Sequence, residues 1–370
     1  MTDFDAVVVG AGPAGSVAAK LLGEQGASVL LVDRAPFPRW KVCGACLSRG
    51  ALSQLASVGL DDLVARLGGV PLTQLALRAP GVSASVRLDG SVAVSRAELD
   101  SALVRAAQDA GVTFWPSARA EVGGLEAGGR AVKISRAGSM ERVSARVVVD
   151  ASGLGRATRA KAGARIGLGC ELTAPSYPVA AGILHMVVAR SGYVGLVRVE
   201  SGTMNIAAAI DPDTVARSGP RDAVSALLVG AGMPPLSADV AGEWRGTPPL
   251  TRIGGDYGAE CLFRVGDAAG YVEPFTGQGM SWAVADGRAV AALASRGIES
   301  WQGSLLEEWR AYRGARRRRS ERLCRTLAWG LRRPWLVEAS VRLLGLVPSL
   351  AVPVVGRAGR APDPLVQVPA

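Results

Sequence analysis

The sequence predicts an α/β fold. Three observations carry it: a glycine-rich strand–turn–helix at the start of the chain, a second glycine-rich strand–loop–helix after residue 261, and alternating apolar runs between residues 179 and 210. Together they imply a Rossmann-like domain with a parallel sheet and a β-meander. They add an α+β domain on an antiparallel sheet and helices at the C-terminal end.

The first element is DFDAVVVGAGPAGSVAAKLLGEQGASVLLVDR, residues 3–34. Residues 6–9 are a continuous apolar run, as in a buried parallel strand. Gly10, Gly12 and Gly15 then give G-x-G-x-x-G, with Pro13 and Ala14 inside it. Residues 16–26 read as a helix and 28–32 as a second strand, closed by Asp33 and Arg34. The first glycine permits the tight turn, the second lets a pyrophosphate approach the backbone, and the third lets helix and strand pack closely. The helix start offers free N–H groups and a positive dipole end to the phosphates. Asp33 stands where an acid accepts a hydrogen bond from the adenosine ribose, which favours FAD or NAD over NADP.

Further along, VSRAELDSALVRAA (94–107) reads as a helix with Arg96 at its start. A cation opposes the dipole there, so Arg96 is a candidate for a bound anion. Residues 112–143 read as the meander, and 145–153 as a strand that ends in Asp150 and returns to the first sheet. CLFRVGDAAGYVEPFTGQGMSWAVADGRAVAALAS (261–295) repeats the opening theme. A strand ends in Gly266-Asp267; Pro274 and Gly277-Gln278-Gly279 follow; then comes a long Ala-rich helix beginning near Met280. A second carboxylate suits ribitol hydroxyls, and a second helix start suits the electron-rich edge of a flavin. The cofactor expected from both ends of the chain is therefore FAD.

Composition sets the outer limits. The 370 residues suit about two domains. Five cysteines and no secretory pattern give the expectation of a reducing cytoplasm. The net charge of +10 is gathered near the C-terminus, at Arg310, Arg313, Arg316 to Arg319, Arg322, Arg325, Arg332 and Arg333. Residues 336–355 are apolar but are interrupted by Glu338, Arg342, Pro348 and Pro353, a poor transmembrane span. A basic amphipathic helix pair on an anionic membrane surface is one expectation, a helical appendix in water the other. No aromatic platform accompanies the arginines, so no nucleic-acid partner is expected. With His185 as its one histidine, the chain has no His-based metal site and no Ser-His-Asp triad, and no metal is expected. His185 itself is either a general acid–base or a core residue.

The set GAGPAG, Arg96-x-x-Leu99, Asp150-Ala-Ser-Gly153 and VGDAAG…P…GQG resembles FAD-dependent oxidoreductases of the aromatic-hydroxylase fold. Within them, PRWKVCGACLS (38–48) resembles the geranylgeranyl reductase family. The resemblance spans roughly residues 5–310. It implies that Ala14, Asp33, Cys43, Gly44, Cys46, Arg96, Ala120, Asp267, Gly279 and Met280 line the FAD, Ala120 on spacing alone. Two features depart from such families: the Asp-Gly pair is interrupted, and no second G-x-G-x-x-G exists for a nicotinamide cofactor. Electrons are thus expected from NAD(P)H without a domain of its own, or from a separate reductase protein.

The expected domains are 1–165 with 255–300 for FAD, 166–254 for a hydrophobic small-molecule substrate, and 301–370 as a basic helical region. The leading expectation is reduction of C=C bonds in an isoprenoid or lipid-like substrate, with Cys43 as proton donor. A monooxygenase acting on an aromatic or polyketide ring remains open. So does a dithiol oxidoreductase using Cys43 and Cys46, which have redox C-x-x-C spacing. The expected location is the cytoplasm, at the inner face of the membrane.

Overall fold

The computed structural model describes residues 2–154, 159–173, 176–237, 242–253, 257–271, 275 and 277–351, with backbone only for 253, 316–325 and 351. Pro274, Pro353, and the side chains of Arg316 to Arg319, Arg322 and Arg325 lie outside the described residues.

In chain order the elements are β1 (Phe4–Val9), α1 (Pro13–Glu24), β2 (Val29–Val32), β3 (Cys46–Leu47), α2 (Arg49–Ala56), α3 (Leu63–Arg66), β4 (Val70–Ala79), β5 (Val82–Ala93), α4 (Arg96–Asp109), β6 (Thr113–Trp115), β7 (Ala118–Glu126), β8 (Gly129–Arg136) and β9 (Ser139–Asp150). There follow β10 (Arg159–Ala160), β11 (Ile166–Leu172), β12 (Ile183–Ala189), β13 (Gly192–Arg198), β14 (Met204–Ile210), α5 (Pro212–Ser218), α6 (Pro220–Gly230), β15 (Arg245–Pro249), β16 (Arg252–Ile253), β17 (Gly258–Ala259), β18 (Leu262–Arg264), α7 (Gly279–Glu299), α8 (Gly303–Gly330) and α9 (Pro334–Leu346).

The first sheet runs β17-β18-β9-β1-β2-β6. β1 pairs in parallel with β2 and β9, and β18 in parallel with β9. β7 and β8 extend from β9 as the antiparallel meander. Side-chain alternation feeds two cores. Ala6 and Val8 pack with α1, α4 and α7 on one face, and Val7 and Val9 pack under the meander on the other. The apolar continuity of these strands follows from this burial on both faces.

The second sheet runs β15-β11-β14-β13-β12-β4-β5-β3. The three runs expected there are antiparallel neighbours. Two corrections arise. β12 pairs in parallel with β4, so this sheet is mixed, and it draws β3, β4 and β5 from residues 46–93, ahead of the expected 166–254 span. The break expected at residue 300 does not divide the core. Leu305, Leu306 and the fully buried Trp309 of α8 belong to the first sheet's helical core, and Trp309 Nε1 donates to Arg264 O at 3.0 Å. Burial of the Trp309 indole fixes α8 to the nucleotide domain, so its first turns are not an appendix.

Candidate active site

The glycine-rich turn is built by contact. Gly10 has φ +104°, and a Cβ there would lie 2.3 Å from Ala151 O. A Cβ on Gly15 would lie 1.9 Å from Gly10 O, so only glycine lets α1 leave the end of β1 at this angle. Gly12 is the N-cap of α1, with Pro13 at the first helical position. Asp33, buried at the end of β2, holds the turn: its Oδ2 accepts from Ala11 N at 2.8 Å and its Oδ1 from Ala35 N at 2.9 Å.

A cluster of charge faces Gly12. Ser95 caps α4 by accepting from Glu98 N, which sets Arg96 in the first turn. Arg96 is not a solvated cation: it is buried and reaches Asp100 twice, Nε to Oδ1 at 2.9 Å and Nη2 to Oδ2 at 2.8 Å. Arg39 Nη2 joins the fully buried Asp100 at 3.0 Å. Burial opposes the charge of Arg96, but Asp100 and then Cys43 outweigh it and raise its pKa above the ordinary value. A Cβ on Gly12 would lie 3.5 Å from Arg39 Nη2 and 4.0 Å from Arg96 Nη2. Two guanidinium groups meeting at Asp100 over a glycine backbone present N–H donors where a diphosphate belongs. Arg39 Nε is buried without a hydrogen bond and lies 3.7 Å from Asp33 Oδ2, which ties this cation to the end of β2.

The second strand–loop–helix meets the first. Pro13 and Ala14 of α1 and Gly279 and Met280 of α7 line one cavity of about 420 Å³. The two helices touch backbone to backbone: a Cβ on Gly287 would lie 2.4 Å from Ala14 O. Asp267 and Gly277 line the same cavity, with Lys41 Nζ 4.0 Å from Asp267 Oδ2. The Gly266-Asp267 turn is held from behind. Gly266 N donates to Asp286 Oδ2 at 3.0 Å, and Arg313 of α8 pairs with that carboxylate and donates to Gly266 O. The residues present therefore fit FAD: a diphosphate cradle at one helix start, and a carboxylate with a second helix start at the other.

Cys43, Gly44 and Cys46 line the cavity on the segment after β2. The second sheet positions that segment. Asn205 of β14 donates from Nδ2 to Cys43 O at 2.9 Å, and Trp40 lies over Gly169 of β11, where a Cβ would come within 2.8 Å of its ring. Both thiols are free. Burial, with Cys43 beside it, pushes the Cys46 thiol up to about 12, and its Sγ donates to Gly44 O at 3.1 Å. A thiol held protonated through the physiological range is a poor nucleophile, which argues against the dithiol reading.

Of the residues expected at the cofactor, Gly12, Pro13, Ala14, Cys43, Gly44, Cys46, Arg96, Asp267, Gly277, Gly279 and Met280 share this cavity. Gly10 and Gly15 act one layer behind, by shaping the turn. Asp33 and the exposed Arg34 lie outside the cavity lining, at the end of β2. Ala120, on β7, packs against the core under the meander and does not line the cavity either. Strand parity decides His185. Its neighbours Leu184 and Met186 line the cavity, so the His185 ring lies on the opposite face of β12. It is buried there, its pKa lowered by burial and then by Arg78, and neither ring nitrogen makes a hydrogen bond among the described residues. The sequence reading missed Arg39, Lys41, Asp100, Asn205, Asp286 and Arg313. The i,i+4 spacing of Arg96 and Asp100 was the one local signal for any of them.

Beyond the loops the cavity becomes apolar. Leu72, Leu75, Leu77 and Leu88 of β4 and β5, with Leu184 and Met186 of β12, form its wall on the second sheet. Tyr193 and Phe275 meet there edge to face at 5.1 Å.

Comparison with known proteins agrees with this geometry. Residues 3–190 match the FAD binding domain family. The chain is 30% identical over 325 residues to digeranylgeranylglycerophospholipid reductase 1 of Methanopyrus kandleri, covering 80% of this chain and 82% of that protein. It is 35% identical over 158 residues to menaquinone reductase of Mycobacterium tuberculosis, and there the match spans 37% of the relative's length. The solved structure of a geranylgeranyl bacteriochlorophyll reductase-like protein from Thermoplasma acidophilum superposes with a TM-score of 0.78 at 18% identity, over 96% of this chain and 95% of that one; at this identity it supports the fold alone. The chain is an FAD-dependent oxidoreductase. It belongs to the geranylgeranyl reductase-like family.

Proposed function

We propose that this enzyme reduces carbon–carbon double bonds of an isoprenoid or similar lipid. The observation that carries the reading is the cavity itself: one end is a charged dinucleotide cradle, and the rest is walled by leucines and Met186. Such a wall takes a hydrocarbon chain and keeps water from the reacting bond. The two curated relatives are named for a geranylgeranyl phospholipid and for menaquinone, which supports a lipid substrate. The electrons come from NAD(P)H or from a separate reductase protein. The Arg-rich C-terminus makes a peripheral contact with the inner face of the membrane.

FAD, when bound, supplies the hydride. The chain's own residues do the rest. Arg39, Arg96 and the start of α1 would hold the diphosphate, and Asp267 with the start of α7 would hold the flavin half. Cys43 stands on the cavity wall with its carbonyl fixed by Asn205, and it is the group assigned to deliver the proton the product needs.

Cys43→Ala is expected to keep its FAD and to slow anaerobic reoxidation of the reduced enzyme by a prenyl lipid about a hundredfold, the usual lower range for loss of a general acid. Stopped-flow absorbance of the flavin reads this out. An unchanged rate assigns the proton to another group.

A further inference from the structure

Eleven arginines and two glutamates stand between residues 310 and 350, which accounts for nearly all of the chain's net charge of +10. The rest of the protein is close to neutral, so this segment alone has a strong electrostatic preference. It also has two apolar faces. The inner one packs on the protein: the buried Val341 and the half-buried Val337 and Leu344 of α9 lie on Leu77, Ala79 and Ala84 of β4 and β5, Leu331 packs with Tyr193 and Met186, and Leu327 lines the substrate cavity.

The outer face is not covered by any described residue to the extent a core side chain would be. Trp335, Leu343 and Leu346 recur at helical spacing on α9 and are 66%, 51% and 81% exposed. Arg342 is exposed on the same stripe. Trp329, 54% exposed at the end of α8, has the Arg333 guanidinium 3.6 Å over its ring. Exposed aliphatic and Trp side chains on one face of a basic helix are expensive in water and suit the headgroup boundary of an anionic bilayer. Among the described residues no helix is long and apolar enough to cross a membrane, so the contact is with its surface.

We infer that the end of α8 and α9 form a docking platform for an anionic lipid surface, and that this platform is also the outer wall of the substrate cavity. The inference rests on the lipid-substrate reading and adds the place where the lipid enters. One helix thickness, about 10 Å, separates the bilayer side of α9 from the second sheet. A lipid substrate then passes between membrane and cavity beside Leu327 without crossing bulk water.

The test is cosedimentation of the full-length FAD-loaded protein with phosphatidylglycerol-rich and with pure phosphatidylcholine vesicles, at low and high salt. The wild type is expected to bind the anionic vesicles and to be released by salt. The double change Trp335→Glu with Leu346→Glu is expected to lower the bound fraction at least about tenfold, and Arg342→Glu to lower it less. Both are expected to keep FAD content and the turnover of detergent-dispersed prenyl lipid. Loss of turnover by wild type in detergent would strike the substrate reading instead, and leaves vesicle binding as the independent readout of this one. Equal binding of wild type and double variant, or no wild-type binding to anionic vesicles, overturns the platform. So does retention on duplex DNA without vesicle binding, or a dimer of the wild type that the double change breaks while vesicles bind neither.

Discussion

Arg313→Ala is expected to destabilise the protein by about 3–5 kcal/mol, the cost of breaking a buried ion pair by removing one partner. Asp286 is fully buried on α7, where it accepts from Gly266 N. Arg313 comes from α8, bonds the same carboxylate and the Gly266 carbonyl, and is itself mostly buried beside Trp309. The substitution therefore removes the cation and frees the turn that carries Asp267. Both urea midpoint and retained FAD are expected to fall. Replacing both partners, Arg313→Met with Asp286→Leu, is expected to recover part of the loss, because the buried carboxylate is removed together with its cation. A change below about 1 kcal/mol in the single variant would mean that Asp286 is carried by other contacts.

Arg96→Leu is expected to weaken FAD binding about a hundredfold, on the order of 2–3 kcal/mol for a buried hydrogen-bonded charge. Arg96 and Arg39 share Asp100, so its loss removes one of two cations over Gly12 and leaves Arg39 alone between Asp100 and Asp33. Arg96→Lys keeps the charge without the two-pronged fit to Asp100 and is expected to fall between. Titration of apoprotein with FAD, followed by flavin fluorescence at a temperature where both proteins are folded, measures the difference. Less than a threefold change would move the diphosphate away from this pair.

The parts of this site that the sequence disclosed are those written in local spacing. Gly10, Gly12 and Gly15, Asp33 and the Gly277–Gly279 loop each sit at a strand end or helix start, where a few neighbouring residues determine the backbone. Their partners are set by pairing over long distances along the chain. Asn205 is 162 residues from the Cys43 carbonyl it holds, and Arg313 is 27 from Asp286, hidden in a run of similar arginines. β4 and β5 were not placed because nothing within residues 70–93 indicates that β12 will lie parallel beside β4. His185 illustrates a different gap. Alternation along β12 is visible in the sequence, but which parity faces the cavity depends on the neighbouring strands, and the side with Leu184 and Met186 won. Ala120 rests on spacing alone, and spacing does not say which side of β7 meets the cavity: Ala120 pairs in regular register with Ile134 and packs under the meander instead.

The measurement that tests the central claim most directly is the mass of the product from a single anaerobic turnover. The purified enzyme is reduced chemically, mixed without oxygen with a prenyl lipid or an alkyl phenol, and its flavin absorbance and product mass are followed. The account predicts that the flavin reoxidises in the absence of oxygen with the prenyl lipid, and that the product gains two hydrogens. A flavin that stays reduced until air is admitted, with a product that gains one oxygen, would contradict it and make the enzyme a monooxygenase.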